Sequence, residues 1–262
     1  MTVLCQCGVV RMSVVPSCVY KAKQKPLRRS LSAERTLQSF NTWAFKREQP
    51  TEPELLLRAV GTAAAQQKPI TFVLYWGKGP RATVAGPEVT CFDFLAHMVR
   101  RIKCAYSPGA AITLILTDTH AALNGHGAES VANYFRTVKE AADAYDFSSC
   151  HLSEIVRSDE RKVWDTEEQP DFDILSRLEK CAAKWYRGEH SPAIGAAEYY
   201  RMNMVEKKAI EQAFPQAIFV TFNGSEYREL FPTNLPVFYM YSLRKGISVK
   251  PWFVDDTLHQ AA

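Results

Sequence analysis

None of the seven cysteines (Cys5, Cys7, Cys18, Cys91, Cys104, Cys150 and Cys181) forms a CxxC pair, and their number is odd. That set suits neither a thiolate zinc site nor a disulfide framework, so reduced thiols in the cytoplasm are expected. No apolar run approaches the roughly 18 residues that cross a bilayer, so no membrane partner is expected. Charge of one sign is also scarce. The 32 basic and 28 acidic residues leave a net +4, too little to call for nucleic acid but compatible with an anionic small molecule. Internal repeats and low-complexity tracts are missing as well, which excludes solenoid and fibrous architectures. A hydrophobic fraction of 47% and a charged fraction of 23% are those of an ordinary globular protein.

Residues 1–20 are broken up by Cys, Arg and Pro, and a basic run at 21–29 follows them, the reverse of the order in a signal peptide. Residues 1–30 are therefore expected to be a flexible arm. Residues 31–262 are expected to form a single α/β domain, because such folds of about 200–250 residues commonly close around one core.

Periodicity predicts helices at 32–47 and 52–66, with Thr51 as the cap of the second and Pro53 in its first turn. A β-branched and aromatic run at 69–75 reads as a buried strand ending at Gly77. Helical spacing follows at 91–105, a second strand at 111–117, and a helix at 127–145. This strand-helix-strand-helix order implies a Rossmann-like, mostly parallel sheet flanked by helices, with the ligand crevice beyond the carboxyl ends of the strands. The polar stretch 157–192 reads as a lid or insertion containing a helix at 171–186. Residues 198–214 read as a helix with charges on one face, stopped by Pro215. Strands are expected at 217–222 and 237–243, as a hairpin pair across the link 223–236, and again at 247–253.

Two loops, 77–81 and 118–125, carry the chemistry in this reading. In the first, Lys78 and Arg81 sit among glycines after a strand and can present charge and backbone N–H groups to a phosphate or carboxylate. The spacing alone fits a solvated basic loop equally well, and it is not that of a P-loop. In the second, Asp118 and His120 supply a carboxylate beside an imidazole, the parts of a proton-transfer pair, although a turn cap and a packed surface residue would also explain them. No third ligand accompanies His120 and His126, so no metal is expected. Asn124, Tyr200, Arg201 and Trp252 complete the candidate substrate contacts. Arg201 with Glu198 also fits a plain exposed pair, and Phe238 to Tyr241 a core strand.

Four stretches taken in order resemble the pyoverdine/dityrosine biosynthesis family, whose bacterial members include amino-acid isocyanide (isonitrile) synthases. They are Lys68-Pro69-Ile70-Thr71-Phe72 leading to Lys78 and Arg81; Tyr106-Ser107-Pro108-Gly109-Ala110-Ala111-Ile112-Thr113 leading to Thr117-Asp118; Phe214-Pro215-Gln216-Ala217-Ile218; and Gly246-Ile247 with Pro251-Trp252. The resemblance spans roughly residues 67–260. It implies an enzyme that joins an amino acid's nitrogen to a carbon of a phosphosugar such as ribulose 5-phosphate, in secondary metabolism and without a cofactor. By this resemblance Lys78 and Arg81 would hold the phosphate and Asp118 would be the acidic residue at the second strand end; with the imidazole read from the residues, Lys78, Asp118 and His120 are the expected catalytic groups. The chain departs from the family pattern where Asp118-Thr119-His120 replaces Asp-Gly-Arg, and where Thr221-Phe222-Asn223-Gly224 replaces a His-Pro turn, which marks a divergent member. An aminoacyl or other group transferase, or a non-catalytic small-molecule binding module, are the alternatives on the same fold.

Overall fold

The computed structural model describes residues 24–77, 84, 86–156 and 171–240. In chain order its elements are α1 (Gln24–Phe40), α2 (Pro53–Gln66), β1 (Ile70–Trp76), α3 (Gly86–Ala105), β2 (Ala110–Leu116), α4 (Asp118–Leu123), α5 (Ala128–Asp143) and β3 (Ser148–His151). They continue as α6 (Leu152–Ile155), α7 (Phe172–Trp185), α8 (Pro192–Ala213), β4 (Ile218–Thr221), α9 (Glu226–Leu230) and β5 (Val237–Tyr239).

The five strands form one sheet in the order β3-β2-β1-β4-β5, every neighbouring pair parallel. A parallel sheet is covered on both faces, which is why β1 reads as a continuous apolar run rather than an alternating one. Its side chains nevertheless divide by parity. Phe72, Leu74 and Trp76 join Phe40, Leu56, Phe92, Met98 and Phe135 on one face. On the other, Val73 joins Ile115, Leu178, Tyr199, Ile210, Phe219 and Phe231, with Tyr75 packed alongside. As crossovers of a single hand require, α3 and α5 pack on the first face, and the helices after β3 pack on the second. The chain reverses direction across the sheet between β1 and β4. The carboxyl ends of those two strands therefore flank the switch point where an open α/β sheet leaves a crevice.

The structure corrects several expectations. β4 and β5 are not a hairpin: they run parallel, and α9 fills the link between them. β3 has no counterpart in the sequence reading, because Ser148-Ser149-Cys150-His151 carries no apolar pattern and is held at the sheet edge by its register with β2. α1 starts at Gln24, inside the segment expected to be an arm, and stops at Phe40. Thr51 does not cap α2. Its hydroxyl lies 3.1 Å from the Tyr239 hydroxyl, and Glu52 occupies the cap position. Residues 118–123, expected to be loop, are the short helix α4. α8 begins at Pro192 because Ser191 caps it, its Oγ accepting the Ile194 N–H at 3.4 Å. The expected lid overlaps α7, whose Leu178, Cys181 and Ala182 are buried, while 157–170 and the strand expected at 247–253 lie outside the described residues. Among the described residues, no helix is long and apolar enough to cross a membrane.

Candidate functional site

β1 and β2 end side by side, Trp76 level with Leu116. Thr117 ties the two ends together. Its hydroxyl donates to the Trp76 carbonyl at 3.1 Å and its N–H to the same oxygen at 3.3 Å. The backbone then turns directly into α4, which places Asp118, Thr119 and His120 at the carboxyl edge of the sheet.

His120 is 9% exposed and faces α8. Its Nε2 lies 2.6 Å from Oε2 of Glu206, and the Thr119 hydroxyl donates to the other carboxylate oxygen, Oε1, at 2.8 Å. Glu206 has no solvent exposure at all. A carboxylate can only accept hydrogen bonds, so in this contact Nε2 of His120 is the donor. The imidazole is fixed edge to face between Tyr75 and Tyr199, with ring centroids 5.5 and 5.1 Å away. An imidazole that is oriented by a buried carboxylate and keeps a small exposure has the parts of a general base and acid.

Lys207, next to Glu206 in sequence, is 2% exposed. Its ammonium position is boxed by three rings, 3.4 Å from the Phe219 centroid, 4.5 Å from Tyr227 and 4.8 Å from Tyr75. Burial pushes this amine well below the ordinary lysine range, and the nearby Glu206 and Glu211 carboxylates pull the other way without offsetting it. Nζ of Lys207 and the hydroxyl of Tyr75 are both buried with no hydrogen-bond partner among the described residues. Burial, with Glu206 adding to it, drives the Tyr75 and Tyr227 phenols well above their usual range, so both stay protonated.

The charges of this helix are expected on one face; Glu206 and Lys207 lie instead among its buried residues. The signal was available in the sequence: Tyr199, Asn203, Glu206 and Ile210 recur at helical spacing and share the buried face of α8. The structure places the residues expected at the site as follows. His120 is in the cluster, but its carboxylate partner is Glu206 rather than Asp118. One oxygen of Asp118 accepts the Ser153 N–H at 3.1 Å, and the other lies 3.7 Å from Nδ1 of His151. Asn124 closes the end of α4 by donating to the His120 carbonyl at 3.2 Å, and its Oδ1 is buried without a hydrogen-bond partner among the described residues. Tyr200 packs against Phe231 at 6.1 Å. Arg201 is half-buried, its Nε without a hydrogen-bond partner among the described residues. Oε1 of Glu198 lies 3.9 Å from Nε2 of His190. Lys78, Arg81 and Trp252 lie outside the described residues.

No protein-family model matches the sequence, and comparison with curated proteins gives no match. Among solved structures, the chain is similar to the PvcA protein from Pseudomonas aeruginosa, with a TM-score of 0.55 and 17% identity over 80% of this chain and 83% of that one. Tyrosyl-tRNA synthetase from Archaeoglobus fulgidus, complexed with L-tyrosine, gives a TM-score of 0.47 at 17% identity over 80% of this chain and 63% of that one. At that identity the likeness to PvcA is one of α/β fold alone.

Proposed function

We propose that the chain is an isocyanide synthase-like enzyme that condenses the amine of an amino acid with the ketone of a phosphosugar such as ribulose 5-phosphate, in the cytoplasm. The observation that carries this reading is the buried contact between His120 and Glu206 at the switch point of the sheet. The fold likeness to PvcA and the four sequence stretches that resemble the isocyanide synthases support it.

The reaction needs a proton removed from the attacking amine, a proton delivered to the departing oxygen, and a second deprotonation during carbon-carbon cleavage. A single imidazole alternating between base and acid serves all three, and the Glu206 carboxylate stabilises the imidazolium between them. In this account Asp118, beside His151, is a second proton acceptor along the same edge. Lys78 and Arg81 hold the phosphate from the loop that starts beside Thr117. Asn124, Tyr200, Arg201 and Trp252 are assigned to the amino acid and the sugar.

The test is incubation with ribulose 5-phosphate and a pool of amino acids, followed by a search for new masses carrying an isocyanide. A product that Lys78→Ala abolishes in a folded protein supports the reading. Binding of either substrate without conversion would overturn it in favour of a binding module.

A further inference from the structure

The proton relay has no use for Lys207, yet among the described lysines this one is buried at 2% exposure without a hydrogen-bond partner. Its amine is sealed from water, has no hydrogen-bond partner among the described residues, and shares the Tyr75 ring with His120: Nζ lies 4.8 Å from that ring's centroid and the imidazole centroid 5.5 Å from it. A cation held only for stability would be expected to carry hydrogen bonds, because a buried donor without one is costly. The three rings leave Nζ no such bond, and the Tyr75 hydroxyl is unpaired too. Two orphan groups, an amine and a phenol, thus meet at the Tyr75 ring, which also packs against the imidazole. A carbonyl is the ligand that suits both: its carbon takes the amine and its oxygen takes the phenol's hydrogen bond.

We infer that Lys207 is a covalent catalyst that forms an imine with the ketone of the phosphosugar and passes it to the amino acid, and this inference rests on the proposed function. The lone pair on Nζ adds to the ketone carbon. The carbonyl π pair moves to oxygen, which Tyr75 holds by a hydrogen bond. His120 takes the proton from nitrogen and returns it to that oxygen, giving a neutral carbinolamine. A second protonation of the hydroxyl releases water and leaves an iminium on Lys207. The amino acid's amine then adds to the iminium carbon and expels the Lys207 amine. The net change is ketone plus amine to imine plus water, with no oxidant or reductant and Lys207 regenerated. Burial helps in two ways, by keeping the amine unprotonated and nucleophilic and by keeping water from the iminium.

The experiment adds sodium cyanoborohydride to the wild-type protein with ribulose 5-phosphate and maps the modified peptide by mass spectrometry. The expected result is Lys207 carrying the sugar phosphate less one oxygen atom, in an amount that falls when amino acid is added. No adduct, or an adduct confined to other lysines, overturns the inference whatever the enzyme makes. Lys207→Met is expected to reduce isocyanide formation to background, and a folded Lys207→Met protein that still turns over also overturns it. If the wild-type protein yields no isocyanide from any amino acid but Lys207 is trapped, the proposed function fails and the lysine's role stands.

Discussion

Replacing Glu206 by Gln separates what the buried pair does for the fold from what it does for chemistry. Glutamine keeps the shape and both contacts. Its carbonyl oxygen can accept from Thr119, as Oε1 does at 2.8 Å, and its amide can donate to Nε2 of His120 where Oε2 now sits at 2.6 Å. Two charge-assisted bonds of about 1.5–3 kcal/mol become two neutral ones of about 0.5–1.5 kcal/mol, a loss of roughly 2–3 kcal/mol. Against that, a carboxylate with no exposure no longer has to be desolvated, a saving of several kcal/mol before its partners are counted. The net change in unfolding free energy is therefore expected to stay within about 2 kcal/mol of zero, whereas Glu206→Ala, which strands His120 and Thr119, is expected to cost about 3–5 kcal/mol. The amide also reverses the tautomer of His120, since Nε2 must now accept, and it removes the charge that balances the imidazolium. Turnover is expected to fall by about 100- to 10,000-fold. Urea unfolding followed by circular dichroism reads the first effect, and product formation by mass spectrometry reads the second. A Gln variant within tenfold of wild-type turnover would refute the reasoning, as would one destabilised as severely as the Ala variant.

Three further outcomes follow from the same geometry. Lys207→Met is expected to raise stability at neutral pH, because the variant no longer buries an amine that the unfolded chain would protonate and leaves no buried donor unpaired. Because the folded protein holds this amine below its unfolded range, wild-type stability should rise with pH between the lowered folded value and 10.5, and the variant's advantage should shrink over that window in pH-dependent denaturation. Cys150, pushed up to about 11 by burial and by Glu154, should resist alkylation at neutral pH, while exposed Cys104 reacts before it, as peptide mapping of iodoacetamide-treated native protein would read out. Gly125 sits at φ +74° with the Arg187 carbonyl 2.9 Å from where a Cβ would stand, so Gly125→Ala should lower stability by at least about 1–2 kcal/mol in thermal unfolding.

Where local sequence decides the structure, reading the chain succeeded. β1 and β2 are continuous apolar and β-branched runs, α2, α5 and α7 keep helical spacing, and together they imply a parallel sheet wound by helices. It failed where pairing decides. β3 is a strand because β2 offers it an edge, and β5 lies parallel to β4 because the intervening link holds a crossover helix. The site shows the same division. Asp118 and His120 are neighbours in sequence, and that adjacency suggested a pair. In the fold their side chains diverge, Asp118 to Ser153 and His151, His120 to Glu206 on a helix from the far side of the switch point. Glu206 and Lys207 look like surface charges until the helix is phased by Tyr199 and Ile210, which places both inside.

The most direct measurement supplies ribulose 5-phosphate labelled with carbon-13 at its ketone carbon, together with the amino acid that the screen selects, and follows the label by NMR. Chemistry centred on His120, Glu206 and Lys207 predicts that the label arrives in the isocyanide carbon of the product and that Glu206→Gln stops it. Label that stays in unreacted sugar, with every proteinogenic amino acid tried, would contradict the account.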